Sequence, residues 1–133
     1  MVAEKGTANT VLIVEDESQI LEMVSGILSR GGYQVLSAKS GDEALQIGRD
    51  FSGSIDLVLT DIVMPGMSGG EVVRQLQQLK PEIHALYMSG YTKYTMVGQN
   101  SLESVKSFIW KPFSPDELLD KVREVLESPA EFH

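Results

Sequence analysis

The sequence predicts an α/β protein built on an open, doubly wound, five-stranded parallel sheet with five helices. Short apolar runs alternate five times with amphipathic stretches along the 133 residues. Such runs are typical of strands buried on both faces, whereas the stretches between them repeat with the period of a helix. Because strands alternate with helices over short connections, the strands run parallel. The right-handed crossovers then place helices on both faces of the sheet. Five units are too few to close a barrel, so the sheet stays open.

The apolar runs place the strands, and stripes of apolar residues at helical spacing place the helices. The runs cover residues 11–14, 35–36 with their neighbours, 55–59, 85–88 and 108–110. Three stripes are clear, and they consist of Ile20, Val24, Ile27 and Leu28, then Val72, Val73, Leu76 and Leu79, and finally Leu118, Val122, Val125 and Leu126.

Three helix starts carry a Ser followed three residues later by a Glu, which is the pattern of a capping box. The pairs are Ser40 with Glu43, Ser68 with Glu71, and Ser114 with Glu117. Pro115 stands at the first position of the last helix, where its fixed φ is suitable. Residues 91–101 hold several middling or poor helix formers, so we expect the fourth helix to be short and mobile.

Composition excludes several classes of function. The chain has no cysteine, which excludes thiol catalysis, disulfides and cysteine-ligated metals. Its formal net charge is −8, and a surface this acidic repels the phosphates of nucleic acids. No apolar run approaches the roughly 20 residues that span a bilayer, and the start of the chain does not resemble a signal peptide. We therefore expect a cytoplasmic protein that contacts neither nucleic acid nor membrane directly.

The length predicts one domain. We expect this domain to cover residues 9–127, after an N-terminal extension of residues 1–8. Residues 128–133 are interpreted as a C-terminal tail, for which a cloning origin is one explanation, and they are left out of the predicted fold.

Polar side chains follow four of the five predicted strands. Strand one ends at Glu15 and Asp16, strand three at Asp61, strand four at Ser89 and strand five at Lys111. Ligands bind outside the carboxyl ends of the strands in this architecture, and the strand order 2-1-3-4-5 makes strands one and three neighbours. Three clustered carboxylates destabilise one another unless a cation neutralises them. Since the ligands are oxygens, the predicted metal is Mg²⁺ or Mn²⁺ rather than zinc.

These residue types suit phosphoryl transfer. Carboxylates form acyl phosphates, which makes Asp61 the natural nucleophile. Lys111 supplies a positive charge for a carboxylate or phosphate oxygen, and the Ser89 hydroxyl can donate to another such oxygen. Each residue alone has a plainer explanation, such as a turn at Asp61 or a favourable charge at the start of the first helix for Glu15 and Asp16. The joint pattern, with each group at the correct strand end, favours a functional site.

The ordered motifs resemble the receiver domains of two-component signalling. They are Glu15-Asp16, Thr60-Asp61 before Met64-Pro65-Gly66-Met67-Ser68-Gly69, Ser89-Gly90-Tyr91, and Lys111-Pro112-Phe113. The resemblance covers about residues 9–127, and the phrases Met-Ser-Gly-Tyr and Lys-Pro-Phe are most similar to receivers attached to hybrid sensor histidine kinases. It implies a flavodoxin-like fold, Mg²⁺ as cofactor, and a histidine kinase or histidine phosphotransfer domain as partner.

The resemblance also implies a role for each matching residue. The matches are Asp61 as the phosphoacceptor, Asp16 as the direct metal ligand, Glu15 as the acid acting through a metal-bound water, Val63 as a ligand through its carbonyl, Ser89 as the switch hydroxyl, Lys111 as the phosphate-pairing lysine and Phe108 as the switch aromatic. Three residues depart from the commoner pattern. Glu15 replaces Asp, Ser89 replaces Thr, and Phe108 has no hydroxyl, so a switch there works through packing.

We therefore expect Asp61 to accept a phosphoryl group from phosphohistidine, and the domain then to switch conformation. It would be a signalling domain that catalyses its own phosphorylation and dephosphorylation, not an enzyme, and a longer chain would add an output domain. An aspartate-nucleophile phosphatase would need a second Asp where Val63 stands. A flavodoxin-like cofactor binder would need a phosphate loop where residues 15–17 are acidic. A phosphorylation-independent pseudo-receiver, acting as a protein-interaction module, stays open as the alternative.

Overall fold

The computed structural model describes residues 9–89 and 107–128. The elements in chain order are β1 (Thr10–Val14), α1 (Ser18–Arg30), β2 (Gln34–Ala38), α2 (Gly41–Asp50), β3 (Leu57–Asp61), α3 (Gly69–Leu79), β4 (His84–Ser89), β5 (Phe108–Trp110) and α4 (Pro115–Leu126). All five predicted strands are present. The short fourth helix expected within residues 91–101 lies outside the described residues, so α4 is the fifth helix of the prediction.

The five strands form one parallel sheet in the predicted order, β2-β1-β3-β4-β5. The third apolar run covers residues 55–59, whereas β3 begins at Leu57 and ends at Asp61. The last residues of β3 continue the ladder, because Thr60 pairs with Val14 and Asp61 pairs with Met88. The strand therefore carries Asp61 to the carboxyl edge of the sheet, next to the end of β1.

Helices cover both faces of the sheet, and successive side chains of each strand alternate between two cores. In β1, Val11 and Ile13 pack in the core shared with α1 and α4. Leu12 and Val14 pack in the core shared with α2 and α3. All four side chains are fully buried, which explains why β1 is a continuous apolar run instead of an alternating one.

The predicted apolar stripes enter these cores with a few exceptions. Leu79, at the end of α3, is 43% exposed. Ile20 and Leu126 are only partly buried, while the neighbouring Leu21 is buried. Trp110, in the last apolar run, is only partly buried because β5 is an edge strand. Among the described residues, none of the helices combines the length and the apolar character that a membrane crossing requires.

The predicted N-cap serines all accept a hydrogen bond from the amide three residues later, at Ser40, Ser68 and Ser114. The full capping box is present only at Ser114, where the Glu117 carboxylate accepts a hydrogen bond from the Ser114 amide. At the other two helices the second half of the predicted box is wrong. Glu43 accepts from the Lys39 amide instead, and Glu71 contacts side chains on its own helix.

Candidate functional site

The polar residues predicted at the strand ends meet at the carboxyl edge of the sheet. Glu15 directly follows β1, Asp61 ends β3, Ser89 ends β4 and Lys111 directly follows β5. The Lys111 amide donates to the Ser89 carbonyl at 2.7 Å, which continues the pairing of β4 with β5. Parallel neighbours end at one edge, so the sheet brings these residues together although Glu15 and Lys111 are 96 positions apart.

Glu15, Asp16 and Asp61 form an acidic cluster. One carboxylate oxygen of each residue lies within 4.8 Å of the other two. Glu15 is fully buried, Asp61 is partly buried and Asp16 is exposed. The cluster is therefore shielded from solvent at Glu15 and open to solvent at Asp16. The three acids converge, while their role as metal ligands stays a prediction.

Lys111 contacts two of these acids. Its Nζ lies 3.0 Å from Asp61 Oδ2 and 3.3 Å from Glu15 Oε1. Burial favours the neutral amine, but the hydrogen bonds and negative charges of Asp61 and Glu15 outweigh it and raise the pKa of Lys111 above its usual value. The lysine therefore stays cationic beside the carboxylate that we expect to react.

Glu15 behaves differently because it is buried. Desolvation raises the pKa of Glu15 to about 7, despite the opposing effects of the Glu17 amide and the Lys111 charge, and the nearby Asp61 charge adds to the increase. The Glu17 amide donates to Glu15 Oε2 at 3.1 Å. The charge of Lys111 thus does not offset the desolvation of the Glu15 carboxylate.

The loop after β3 helps to orient Asp61. The Val63 amide donates to Asp61 Oδ1 at 3.2 Å, so each oxygen of the Asp61 carboxylate has a donor. Gly66 has a φ of 80°, the left-handed conformation that glycine adopts without strain, as the Pro65-Gly66 turn predicts. The Val63 side chain is 51% exposed. The role of its carbonyl as a metal ligand stays a prediction.

Ser89 presents a buried hydroxyl. Its Oγ has no hydrogen-bond partner among the residues that the structure describes. In the sheet, Ser89 pairs with Trp110, whose ring packs edge-to-face on Phe108 with ring centroids 4.4 Å apart. We did not predict this aromatic contact, although residues two apart on a strand point to the same side. This contact connects the end of β4 to Phe108, the aromatic residue whose packing we expect to change.

The donor set fits a small divalent cation. It offers oxygen atoms, which Mg²⁺ and Mn²⁺ prefer, and its three carboxylates outnumber the one lysine. A second positive charge would compensate the buried Glu15 carboxylate, whose charged form is destabilised by desolvation. The strand ends placed Lys111 near the three acids, but the sequence did not indicate which carboxylate oxygens the lysine contacts.

The chain belongs to the response regulator receiver domain family, whose model matches residues 11–123. It is 37% identical over 118 residues to the sensor kinase CckA of Brucella abortus, a match that covers 89% of this chain and 12% of that protein. It is 35% identical over 115 residues to the uncharacterised transcriptional regulatory protein YrkP of Bacillus subtilis, covering 86% of this chain and 48% of that one. The response regulator SaeR of Staphylococcus aureus is 28% identical over 123 residues, covering 92% and 53%. The chain therefore spans between about a tenth and about half of the length of these curated relatives.

Solved structures agree with this family. The receiver domain of the hybrid histidine kinase CckA superposes with a TM-score of 0.74 at 27% identity, covering 90% of this chain and all of that one. A receiver domain protein of Clostridium thermocellum gives a TM-score of 0.76 at 27% identity, covering 89% of this chain and 94% of that one. The predicted fold and the predicted resemblance to receivers of hybrid kinases are confirmed.

Proposed function

We propose that this domain accepts a phosphoryl group from phosphohistidine on the carboxylate of Asp61 and changes conformation in response. One observation carries the proposal, namely the convergence of three acids with a lysine ammonium at the carboxyl edge of the sheet, where the neighbouring strand ends at the buried Ser89. A partly buried carboxylate that already touches a lysine is a competent acceptor, because catalysis of this transfer is mostly positioning and charge neutralisation.

In the proposed transfer, a carboxylate oxygen of Asp61 attacks phosphorus. The oxygen–phosphorus bond forms as the phosphorus–nitrogen bond of phosphohistidine breaks, and the leaving imidazole nitrogen takes its proton from solvent. Lys111, 3.0 Å from the acceptor carboxylate, stabilises the negative charge on the incoming phosphoryl oxygens. In dephosphorylation, the oxygen of a water molecule attacks phosphorus, the bond between phosphorus and the Asp61 oxygen breaks, and phosphate leaves as the carboxylate is restored. The domain would thus catalyse its own phosphorylation and dephosphorylation and act on no separate substrate.

Glu15, Asp16 and Asp61 are the residues that would hold Mg²⁺ or Mn²⁺, with the Val63 carbonyl as a backbone ligand. Their oxygen donors and their surplus of negative charge support this assignment. When bound, the ion neutralises charge on the transferring phosphoryl group. Asp16 is exposed, which gives the cluster an entry side for the ion and for the donor.

Ser89 is the proposed first element of the conformational response. A buried hydroxyl without a partner costs about 1–3 kcal/mol, and a phosphoryl oxygen on Asp61 would provide its acceptor. Movement of Ser89 would pass to its sheet partner Trp110 and to Phe108, which packs on that ring. Since Phe108 has no hydroxyl, the response there would be a change of packing.

We propose a histidine kinase or a histidine phosphotransfer domain as the phosphoryl donor. The similarity to the sensor kinase CckA and to the receiver of the hybrid histidine kinase CckA supports a hybrid-kinase context. The similarity to YrkP and SaeR supports another context, in which the domain belongs to a longer regulator that also has an output domain.

The first prediction concerns the acceptor. Incubation with acetyl phosphate and Mg²⁺ should add the mass of one phosphoryl group to the domain, and Asp61→Asn should abolish the addition because an amide oxygen is a poor nucleophile. Mass spectrometry measures both, with the exposed Asp50→Asn as a matched control that labels normally. Labelling that survives in Asp61→Asn would move the acceptor elsewhere. A folded parent domain that never labels would favour the pseudo-receiver.

A further inference from the structure

The start of α3 lies directly against the peptide that carries Asp61. Gly69 is the first residue of α3, and its amide donates to the Ile62 carbonyl at 2.9 Å. A Cβ placed on Gly69 would overlap the Asp61 carbonyl oxygen and lie 3.0 Å from the Asp61 carbonyl carbon. The close approach of two backbone segments therefore requires glycine at this position.

Thr60 also contacts this peptide. Its Oγ1 is buried and donates to the Asp61 carbonyl oxygen at 3.0 Å. The Ile62 amide donates to the Met88 carbonyl of β4 at 3.1 Å. The peptide between Asp61 and Ile62 is thus held by its own strand, by the neighbouring strand and by the start of α3.

We propose that Thr60 and Gly69 are positioning residues that fix the direction of the Asp61 carboxylate. This inference rests on the proposed function of Asp61. The clamped peptide is attached to the Asp61 Cα, so its rotation would turn the side chain. It would also shift Val63, whose amide donates to Asp61 Oδ1.

A methyl group on residue 69 would force the Asp61 peptide and the start of α3 apart. Val72 and Leu76 anchor the helix, because both are fully buried in the core beside β3. Ser68 caps the helix by accepting the Glu71 amide. The strain would therefore fall in part on the Asp61 peptide, which is held by hydrogen bonds and by the buried side chains of Thr60 and Ile62.

Gly69→Ala tests the proposal, with Gly70→Ala as a matched control. A Cβ on Gly70 meets only Ser68 Oγ, at 4.0 Å, and both changes favour the helix intrinsically. We expect Gly69→Ala to slow labelling by acetyl phosphate and Mg²⁺ by about 10- to 100-fold, the size expected for a misplacement of about 1 Å. Gly70→Ala should label at the parental rate.

A second readout needs neither metal nor phosphate. Hydrogen exchange of the Val63 amide should be faster in metal-free Gly69→Ala than in the parent, because its bond to Asp61 Oδ1 is weakened, and unchanged in Gly70→Ala. If the parent domain is never labelled by acetyl phosphate, the proposed function fails. The exchange rate of the Val63 amide still decides whether residue 69 positions Asp61. Parental labelling and parental Val63 exchange in folded Gly69→Ala would overturn the inference.

Thr60→Val supplies a milder variant that keeps the side-chain shape and removes the donor to the Asp61 carbonyl. We expect labelling slower by about threefold or more, the effect of losing one hydrogen bond, together with faster Val63 exchange. If Gly69→Ala does not fold, this variant decides the proposal. Parental values of both quantities in Thr60→Val would then overturn it.

Discussion

Burial sets the pKa of one residue of the acidic cluster, Glu15. Glu15 and Asp61 both contact Lys111, yet Glu15 is fully buried and its pKa rises to about 7. Desolvation is the largest cause, and one lysine shared between two acids does not offset it. A divalent cation would do so, and for this reason the raised pKa supports a metal site better than it supports a structural ion pair.

The second prediction follows from this pKa. In the metal-free domain the pKa of Glu15 is about 7, above its ordinary value of 4.5, so the folded state binds this proton more tightly than the unfolded state. The contribution of Glu15 to stability is therefore complete below about pH 4.5 and is lost as the pH rises through about 7. Urea unfolding across this range, with a chelator present, measures the loss.

Glu15→Gln is the control for this dependence. The amide of the glutamine stays neutral at every pH, so the variant should not lose stability as the pH rises through about 7. Above pH 7 it should be at least as stable as the metal-free parent. It should also bind Mg²⁺ more weakly, since it has lost a charged ligand. An unchanged slope of stability against pH in Glu15→Gln would show that another group titrates.

At the scale of elements, the helix starts fix the loops that carry the site. α3 begins at Ser68 and Gly69, against the peptide of Asp61. The N-cap of α4 is Ser114, three residues after Lys111, and it has the complete capping box. Both caps satisfy amides that would otherwise lack partners at the start of the helix. The caps therefore limit how far the two loops that hold Asp61 and Lys111 can move.

The third prediction concerns the cap of α4. Ser114→Ala should lower the free energy of unfolding by about 1 kcal/mol, because it removes the acceptor for the Glu117 amide. Glu117→Ala should also be destabilising, since its carboxylate accepts from the Ser114 amide. Glu124→Ala, on the exposed face of the same helix, should change stability by less than about 0.5 kcal/mol. Urea unfolding compares the three, and equal effects of Glu117→Ala and Glu124→Ala would argue against the box.

At the scale of the whole molecule, the site exists only when the sheet is formed. Its acids follow β1 and β3, its hydroxyl ends β4 and its lysine follows β5. The register of four parallel strands brings these groups to one edge, and the two cores hold the register. A ligand that needs all of these groups binds the folded state and not the unfolded chain.

The fourth prediction uses this coupling. Mg²⁺ at about 100 times its dissociation constant should raise the free energy of unfolding by about 2.7 kcal/mol, because it binds only the folded state. Asp16→Asn should reduce the increase strongly, since Asp16 belongs to the cluster. The exposed Asp42→Asn, in the first turn of α2, should keep the parental increase. An equal increase in parent and Asp16→Asn would place the ion elsewhere.

Local pattern was enough to predict the fold and the members of the cluster. Buried parallel strands need continuous apolar runs, and helices need apolar stripes and N-caps, so each element left a signal in its own segment. The doubly wound order of the strands was also predicted, and it makes strands one and three neighbours, which brings Glu15 and Asp61 together. Ser89 and Lys111 could be named for the same reason, since each follows an apolar run that ends at the carboxyl edge.

Packing and desolvation decided the rest. The contact of Lys111 with Glu15, the raised pKa of Glu15 and the close approach of Gly69 to Asp61 join segments that are distant in the chain. None of them leaves a periodic signal, because distances of this kind depend on register and on how tightly a helix seats on the sheet. The partners of Glu43 likewise depended on geometry that its spacing from Ser40 does not specify. Burial and close contact are properties of the folded molecule. They determine the pKa values of the site's polar residues and the direction of their side chains, which the sequence alone does not specify.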